Sequence, residues 1–104
     1  MKTITSQEAQ GLIERGEVVS LDVRTKDEFA SGHIAGAMNI DFYKSDFADE
    51  IKKLDKSKSY IVNCQSGGRS GKTVSLMDEL GFSSSANLEG GIMAWKAAGL
   101  PVER

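Results

Sequence analysis

Residues 60–74 read YIVNCQSGGRSGKTV, a segment that joins an apolar run to an amphipathic one. The run from Tyr60 to Asn63 contains aromatic and β-branched residues without a break, which is typical of a strand buried on both faces. From Ser70 onward apolar residues recur at helical spacing, and Gly81 closes this predicted helix. Cys64 is therefore predicted to lie at the carboxyl end of a buried strand, which is where open parallel sheets bind ligands.

The rest of the chain alternates short apolar runs with amphipathic segments, which is the pattern of an α/β domain. Two capping boxes, Thr5 with Glu8 and Thr25 with Glu28, predict the beginnings of two helices. Two further helices are predicted around residues 47–54 and 92–99. Strands are predicted at residues 18–22, 37–40, 60–63 and 86–88. No linker or internal repeat divides the sequence, so residues 1–104 are predicted to form one domain.

Composition and charge exclude several classes of protein. The 104 residues carry 13 basic and 15 acidic side chains, for a net charge of −2, and 39% of them are hydrophobic. Because the charges are interleaved and form no basic stripe, neither nucleic acid nor a membrane surface is an expected partner. The sequence shows no signal segment and no run of about 20 apolar residues that could span a bilayer. We therefore expect a cytoplasmic protein in a reducing setting.

The chain has one cysteine, Cys64, and one histidine, His33. A single cysteine cannot form an internal disulfide, and these two residues cannot supply a four-ligand zinc site. The sequence therefore predicts no metal site.

The loop after Cys64 has the composition of an anion-binding site. Gly67 and Gly68 allow backbone conformations that turn successive N–H groups toward one point, at the amino end of the following helix. The anion would be the sulfur of Cys64 or a sulfur attached to it, with the charge of Arg69 nearby. An ordinary thiol has a pKa of about 8.5, so being mostly ionised at pH 7 requires that its pKa fall by about two units, or about 2.7 kcal/mol. Two or three hydrogen bonds of about 1.5–3 kcal/mol each would suffice, whereas the helix dipole alone would not.

Several short motifs extend over nearly the whole chain in one order. They are LDVR at 21–24, EF at 28–29, GHI at 32–34, GA at 36–37, NI at 39–40, the loop at 64–70, EGGIMAW at 89–95 and GLPV at 99–102. In this order and at this spacing they resemble a single-domain rhodanese, a sulfurtransferase. The resemblance implies a rhodanese-like α/β fold, in which a five-stranded parallel sheet is flanked by helices on both faces.

The resemblance also implies a ping-pong reaction at Cys64. The thiolate would attack the outer sulfur of a thiosulfate-like donor, release sulfite and keep the transferred sulfur as a persulfide. The acceptor would be a thiol, a dithiol protein or cyanide, and the covalent intermediate on Cys64 leaves no need for a cofactor. Arg69 would help to hold an anionic donor. By the same resemblance, the persulfide would be bound by the backbone N–H groups of Gln65, Ser66, Gly67, Gly68, Arg69 and Ser70.

Three charged residues near the strand predicted at 18–22 are assigned to supporting the loop: Asp22, Arg24 and Glu28. Glu28 is close enough in sequence to form an ion pair with Arg24, and the alternative is that Arg24 reaches into the pocket and binds the donor. His33 could be proposed as a base for Cys64. In the family its motif forms a turn, and a thiolate held by amides needs no base.

Other functions stay open. Cysteine-based phosphatases and arsenate reductases also place a cysteine loop closed by an arginine after a strand. Here four residues separate Cys64 from Arg69 where those enzymes use five, and a tetrahedral oxyanion needs the larger ring of amides. A non-catalytic persulfide carrier or docking module would use the same cysteine. A nucleotide-binding P-loop is not supported, because Ser66 stands where that motif requires glycine.

Overall fold

A parallel sheet of five strands forms the centre of the structure, a computed structural model that describes residues 2–104. The strands in chain order are β1 (Thr3–Ile4), β2 (Val19–Asp22), β3 (His33–Ile34), β4 (Met38–Asn39), β5 (Ser59–Asn63), β6 (Ser84–Leu88) and β7 (Val102–Glu103). The order in the large sheet is β1-β6-β5-β2-β4. The apolar run that ends at Cys64 is thus the central strand, as expected for a strand buried on both faces.

The helices lie on both faces of the sheet. They are α1 (Ser6–Glu14), α2 (Lys26–Ala30), α3 (Phe47–Lys52), α4 (Gly68–Glu79) and α5 (Gly91–Ala97). Both predicted capping boxes are formed, so α1 and α2 begin where the sequence predicts. Within residues 2–104 no helix is both long and apolar enough to cross a membrane.

The sheet separates two hydrophobic cores. We call one the α3/α4 core; its buried side chains include Leu21, Phe47, Ile51, Val62, Cys64, Val74 and Met77. We call the other the α1/α5 core; its buried side chains include Ile4, Ala9, Ile61, Leu88, Ile92 and Trp95. Successive side chains of a strand point to opposite faces, so Ile61 and Val62 of β5 contribute to different cores. The predicted arrangement of a five-stranded parallel sheet with helices on both faces is confirmed.

The sequence does not locate three of the strands, β1, β3 and β7. Each has only two residues and, unlike β4 within the strand predicted at 37–40, none stands in an apolar run that the pattern identifies as a strand. β1 completes the large sheet by pairing with β6, whereas β3 and β7 form a separate antiparallel pair. In addition, α4 begins at Gly68 and not at the predicted Ser70, which brings the amino end of this helix closer to Cys64.

Candidate active site

Cys64 directly follows β5, and its sulfur is enclosed by the loop that leads into α4. The residue is 2% exposed. The Gly67 backbone N–H donates to Cys64 Sγ across 3.1 Å, and Ser70 Oγ lies 3.3 Å from the same sulfur. Gly67 has a φ of +121°, which L side chains rarely adopt. The predicted order of strand, cysteine loop and helix is confirmed, and the glycine turns its N–H group toward the sulfur.

Burial and hydrogen bonding change the pKa of the Cys64 thiol in opposite directions. Burial is the largest single influence and raises this pKa, because a charged sulfur is less stable away from water. Hydrogen bonds from the Ser70 side chain and from the backbone N–H groups of Ser70, Gly67 and Ser66 lower it. The hydrogen bonds outweigh burial, so the pKa of Cys64 lies below that of an ordinary thiol. The Ser70 hydroxyl therefore supplements the backbone amides that the sequence predicts.

The loop is also held by α5 on its other side. The backbone N–H groups of Ile92 and Met93 donate to the carbonyl oxygens of Cys64 and Gln65, across 3.0 and 3.2 Å. Because the first N–H groups of a helix have no partner inside the helix, these bonds satisfy both the helix end and the loop. The side chains of Gln65 and Ser66 are exposed, and the structure shows no hydrogen bond from either to the sulfur. Their backbones, and not their side chains, shape the loop.

Asn87 in β6 is a site residue that the sequence does not single out. Its Oδ1 lies 2.6 Å from Ser70 Oγ, and its Nδ2 donates to the Gly67 carbonyl across 3.2 Å. Asn87 thus contacts both residues that hydrogen-bond the sulfur. The one signal in the sequence is a polar residue inside a strand that is predicted to be buried.

Arg69 is paired with Glu28 and does not stand free in the loop. Its two terminal nitrogens donate to the two carboxylate oxygens of Glu28 across 2.8 and 3.1 Å, and the Tyr43 ring centre lies 5.5 Å from the guanidinium. The hydrogen bond from Arg69 holds the pKa of Glu28 at about 2 despite an opposing effect of burial. The same bond raises the pKa of Arg69. That Arg69 binds an anionic donor stays a prediction, since its charge is balanced here by a carboxylate.

The predicted ion pair between Arg24 and Glu28 is wrong. Arg24 instead pairs with Asp22 through bonds of 2.8–3.1 Å and donates to the Gly32 carbonyl across 2.8 Å. Both charged side chains are buried, with exposures of 1% and 0%. Sequence proximity is misleading here because the capping box turns Glu28 back toward the start of α2, on the side that faces Arg69. The alternative prediction, that Arg24 reaches into the pocket, is also wrong, because its side chain bonds Asp22 and the Gly32 carbonyl instead.

Asp22 and Arg24 lie beside the end of β5. Asp22 is the register partner of Asn63, and the Val23 backbone N–H donates to the Asn63 carbonyl across 2.9 Å. The buried pair therefore fixes the turn that follows β2 next to the residue before Cys64. That these two residues support the loop stays a prediction, which this position favours.

His33 lies away from the sulfur, in the small sheet of β3 and β7. Its Nδ1 is 2.8 Å from the Phe29 carbonyl, its Nε2 is 3.5 Å from a carboxylate oxygen of Glu103, and its ring stacks on Phe29. Both ring nitrogens thus have partners other than Cys64. The arrangement makes His33 a structural residue.

The cysteine loop lies apart from the cavity between α2, β4 and α3. A cavity of about 640 Å³ lies between α2, β4 and α3, but none of its lining residues belongs to the loop from Cys64 to Ser70. Chemistry that moves one sulfur atom needs no cavity of that size. Across residues 2–104 the structure assembles no group of three or more His, Cys, Asp or Glu side chains that could hold a metal ion.

Comparison with known proteins connects this geometry to a family. The sequence model of the rhodanese-like domain matches residues 5–98. The chain belongs to the rhodanese-like domain family. The match covers every element from α1 to α5, so it includes the cysteine loop and the partners of that loop on α2, β6 and α5.

Two relatives of this rhodanese-like domain are named after sulfur transfer. Thiosulfate sulfurtransferase 16 of Arabidopsis thaliana, a chloroplastic protein, is 37% identical over 93 residues, which span 80% of this chain and 78% of the relative. The thiosulfate sulfurtransferase GlpE of Pseudomonas fluorescens is 36% identical over 91% of this chain and 84% of the relative. The crystal structure of a rhodanese-related protein from Thermoplasma volcanium has a TM-score of 0.90 and 32% identity, covering 99% of this chain and 98% of that one. The predicted family is confirmed.

Proposed function

We propose that this rhodanese-like domain is a sulfurtransferase in which Cys64 carries the transferred sulfur as a persulfide. One observation carries the proposal: a nearly enclosed sulfur with an N–H group and a hydroxyl group directed at it, whose pKa is lowered although burial opposes ionisation. A sulfur held in this way is a nucleophile at a lower pH than a free thiol. Because Cys64 is 2% exposed, a small donor reaches its sulfur more easily than a large one.

The reaction proceeds in two displacements. The Cys64 thiolate attacks the outer sulfur of a sulfane donor such as thiosulfate; a new S–S bond forms, the donor's S–S bond breaks, and sulfite leaves with the electron pair. The transferred sulfur stays on Cys64 as a persulfide anion. A thiol, a dithiol protein or cyanide then attacks that outer sulfur, and Cys64 leaves as the thiolate. The cycle uses no cofactor, and it requires a reducing setting such as the cytoplasm, where a single thiol stays reduced.

Two arguments support sulfur transfer over phosphate chemistry. Four residues separate Cys64 from Arg69 where cysteine-based phosphatases use five, so the loop offers a smaller ring of amides than a tetrahedral oxyanion needs. The names of two relatives include thiosulfate, which makes thiosulfate the first donor to test. We therefore expect no hydrolysis of an aryl phosphate.

Intact-protein mass spectrometry tests the proposal, because Cys64 is the single cysteine of the chain. After treatment with thiosulfate, the protein gains the mass of one sulfur atom, and cyanide removes it as thiocyanate. Cys64→Ser abolishes the mass gain and the thiocyanate while keeping the circular dichroism spectrum of the fold. Transfer that survives in Cys64→Ser would overturn the proposal. Thiocyanate in excess of one equivalent per chain distinguishes a turnover enzyme from a persulfide carrier.

A further inference from the structure

The Ser70 hydroxyl lies between two groups that can each accept its hydrogen. Asn87 Oδ1 is 2.6 Å from Ser70 Oγ, and Cys64 Sγ is 3.3 Å from it. A serine hydroxyl has one hydrogen to donate, so it serves one of these acceptors at a time. All three residues are buried, so the acceptor that is left without a donor loses hydrogen-bond energy that water does not replace.

The amide of Asn87 has a fixed orientation. Its Nδ2 donates to the Gly67 carbonyl across 3.2 Å, and a carbonyl oxygen can only accept. With the amide reversed, Asn87 Oδ1 would face the Gly67 oxygen, so two acceptors would oppose each other. The bond to Gly67 therefore keeps Oδ1 directed at Ser70.

We infer that Asn87 is a positioning residue for the sulfur chemistry: it competes with Cys64 for the single hydrogen of the Ser70 hydroxyl. The inference rests on the proposed function, because it concerns the nucleophile of that reaction. In the thiol state, Ser70 donates to Asn87, and the Cys64 thiol donates its own hydrogen to Ser70 Oγ. In the thiolate state the sulfur has lost that hydrogen, and the Ser70 hydroxyl turns to donate to it.

Two contributions of Asn87 act in opposite directions. Through Oδ1 it draws the Ser70 hydrogen away from the sulfur, which favours the thiol. Through Nδ2 it anchors Gly67, whose N–H group stabilises the thiolate. The bond to Ser70 is short for an O–H···O bond, whereas the bond to Gly67 is at the long end for an N–H···O bond, so we expect the competition for the hydroxyl hydrogen to decide the net effect.

Charged groups on the elements around Cys64 stay unchanged when Asn87 is substituted. Arg69 on α4 is paired with Glu28 of α2, and Asp22 at the end of β2 is paired with Arg24. The remaining charged residues on α4, after β6 and on α5 are exposed: Lys72, Asp78, Glu79, Glu89 and Lys96. Within the described chain the sulfur's hydrogen-bond partners are Gly67, Ser70 and the Ser66 backbone N–H group, and Asn87 hydrogen-bonds only the first two of these. A change in the ionisation of the sulfur after an Asn87 substitution therefore reports on the bonds from Gly67 and Ser70.

The ultraviolet absorbance of the thiolate, titrated against pH, tests the inference. Cys64 is the single thiol, and Cys64→Ser supplies the baseline for the tyrosines. Asn87→Ala frees the Ser70 hydrogen, so the titration midpoint falls by about 0.5–1 pH unit, a three- to tenfold rise in the thiolate-to-thiol ratio. Ser70→Ala removes the donor, so the midpoint rises by a similar amount. In the Ser70→Ala background, Asn87→Ala no longer lowers the midpoint.

The sign of the shift separates this role from a merely structural one. If Asn87 only kept the loop in place, Asn87→Ala would loosen Gly67 and raise the midpoint; a rise would therefore overturn the inference. An equal fall in the wild-type and Ser70→Ala backgrounds would overturn it too. If Asn87→Ala does not fold, Asn87→Asp replaces it, because a carboxylate is a stronger acceptor for the Ser70 hydroxyl than an amide. We expect the titration midpoint of Cys64 to rise in Asn87→Asp, and to rise less when Ser70 is also replaced by alanine. An equal rise in both backgrounds contradicts the inference.

The inference and the proposed function fail in different experiments. The titration needs no sulfur donor, so it measures the competition for the Ser70 hydrogen whether or not a persulfide forms. If thiosulfate leaves no sulfur on wild-type Cys64, the proposed function fails and the titration result stands. If the inference and the proposed function are both correct, Asn87→Ala shifts the pH profile of persulfide formation by the same amount as it shifts the midpoint of the thiolate titration.

Discussion

At the residue scale, the carboxylate of Glu28 takes part in both the capping box of α2 and an ion pair with Arg69. Its Oε1 accepts the Thr25 backbone N–H across 3.0 Å, which closes the capping box of α2, and both of its oxygens accept from Arg69. The short helix α2 is thereby tied to the amino end of α4, next to the sulfur. Glu8 occupies the same capping-box position in α1 and, within residues 2–104, forms no pair with a cation. The chain thus contains its own control for the role of the ion pair.

Glu28→Gln removes the ion pair but keeps an oxygen for the cap. Because the pKa of Glu28 is lowered from 4.5 to about 2 in the folded protein, the ion pair contributes its full stability above about pH 4.5. This contribution is lost as the pH falls from about 4.5 to about 2. The side chain is 34% exposed and screened by solvent, so we expect a loss of about 1 kcal/mol at pH 7.

Urea unfolding of the two proteins across this pH range measures the effect. The difference in free energy of unfolding between wild type and Glu28→Gln shrinks below pH 4.5 and vanishes near pH 2. Glu8→Gln changes the stability by less than about 0.5 kcal/mol, because it alters a cap without an ion pair. A difference for Glu28→Gln that stays constant with pH contradicts the pairing.

At the element scale, α5 and the cysteine loop form one unit. The first turn of α5 donates to the carbonyls of Cys64 and Gln65, and Gly91 stands at the closest approach. A Cβ atom at Gly91 would lie 2.4 Å from the Gln65 carbonyl oxygen, and the residue has a φ of +60°. Backbone atoms cannot move aside as the end of a flexible side chain can. A side chain at Gly91 therefore requires α5 and the loop to move apart.

Gly91→Ala therefore destabilises the protein by about 2–4 kcal/mol, through the clash and the unfavourable φ together. Urea unfolding measures the loss, and faster reaction of Cys64 with a thiol reagent reports the loosened loop. Gly11→Ala in the middle of α1 is the matched control. There the nearest atom is the flexible end of Arg15 at 3.3 Å, and we expect a gain of about 0.4–1 kcal/mol. Wild-type stability in Gly91→Ala would show that the loop and α5 are not held so closely.

At the scale of the whole molecule, features set by neighbouring residues could be predicted from the sequence, whereas contacts between residues far apart in the chain could not. The strand, loop and helix from 60 to 80 and both capping boxes depend on residues within a few positions of each other, so the sequence displays them directly. The pair of Glu28 with Arg69 spans 41 residues, and the bond between Ser70 and Asn87 spans 17. Such pairs follow from the strand order, which places β6 and α2 beside the loop.

The same strand order predicts how the molecule unfolds. Cys64 belongs to the α3/α4 core, and Trp95 belongs to the α1/α5 core on the opposite face of the sheet. Both cores depend on β5, whose Ile61 and Val62 point to opposite faces, so losing one face removes the support of the other. The protein should therefore unfold as one cooperative unit, as small domains usually do.

One natural probe on each face makes this cooperativity measurable. Trp95 is the single tryptophan and Cys64 the single thiol, and each is 2% exposed. In a urea titration, the loss of Trp95 fluorescence and the rise in rapid labelling of Cys64 should have the same midpoint. Trp95 fluorescence followed in Cys64→Ser, which has no thiol for the reagent to label, controls for any effect of the reagent on the fluorescence. If Cys64 became reactive at a lower urea concentration than Trp95, the loop and the α3/α4 core would open separately, and the bonds from α5 to the loop would be weaker than the geometry indicates.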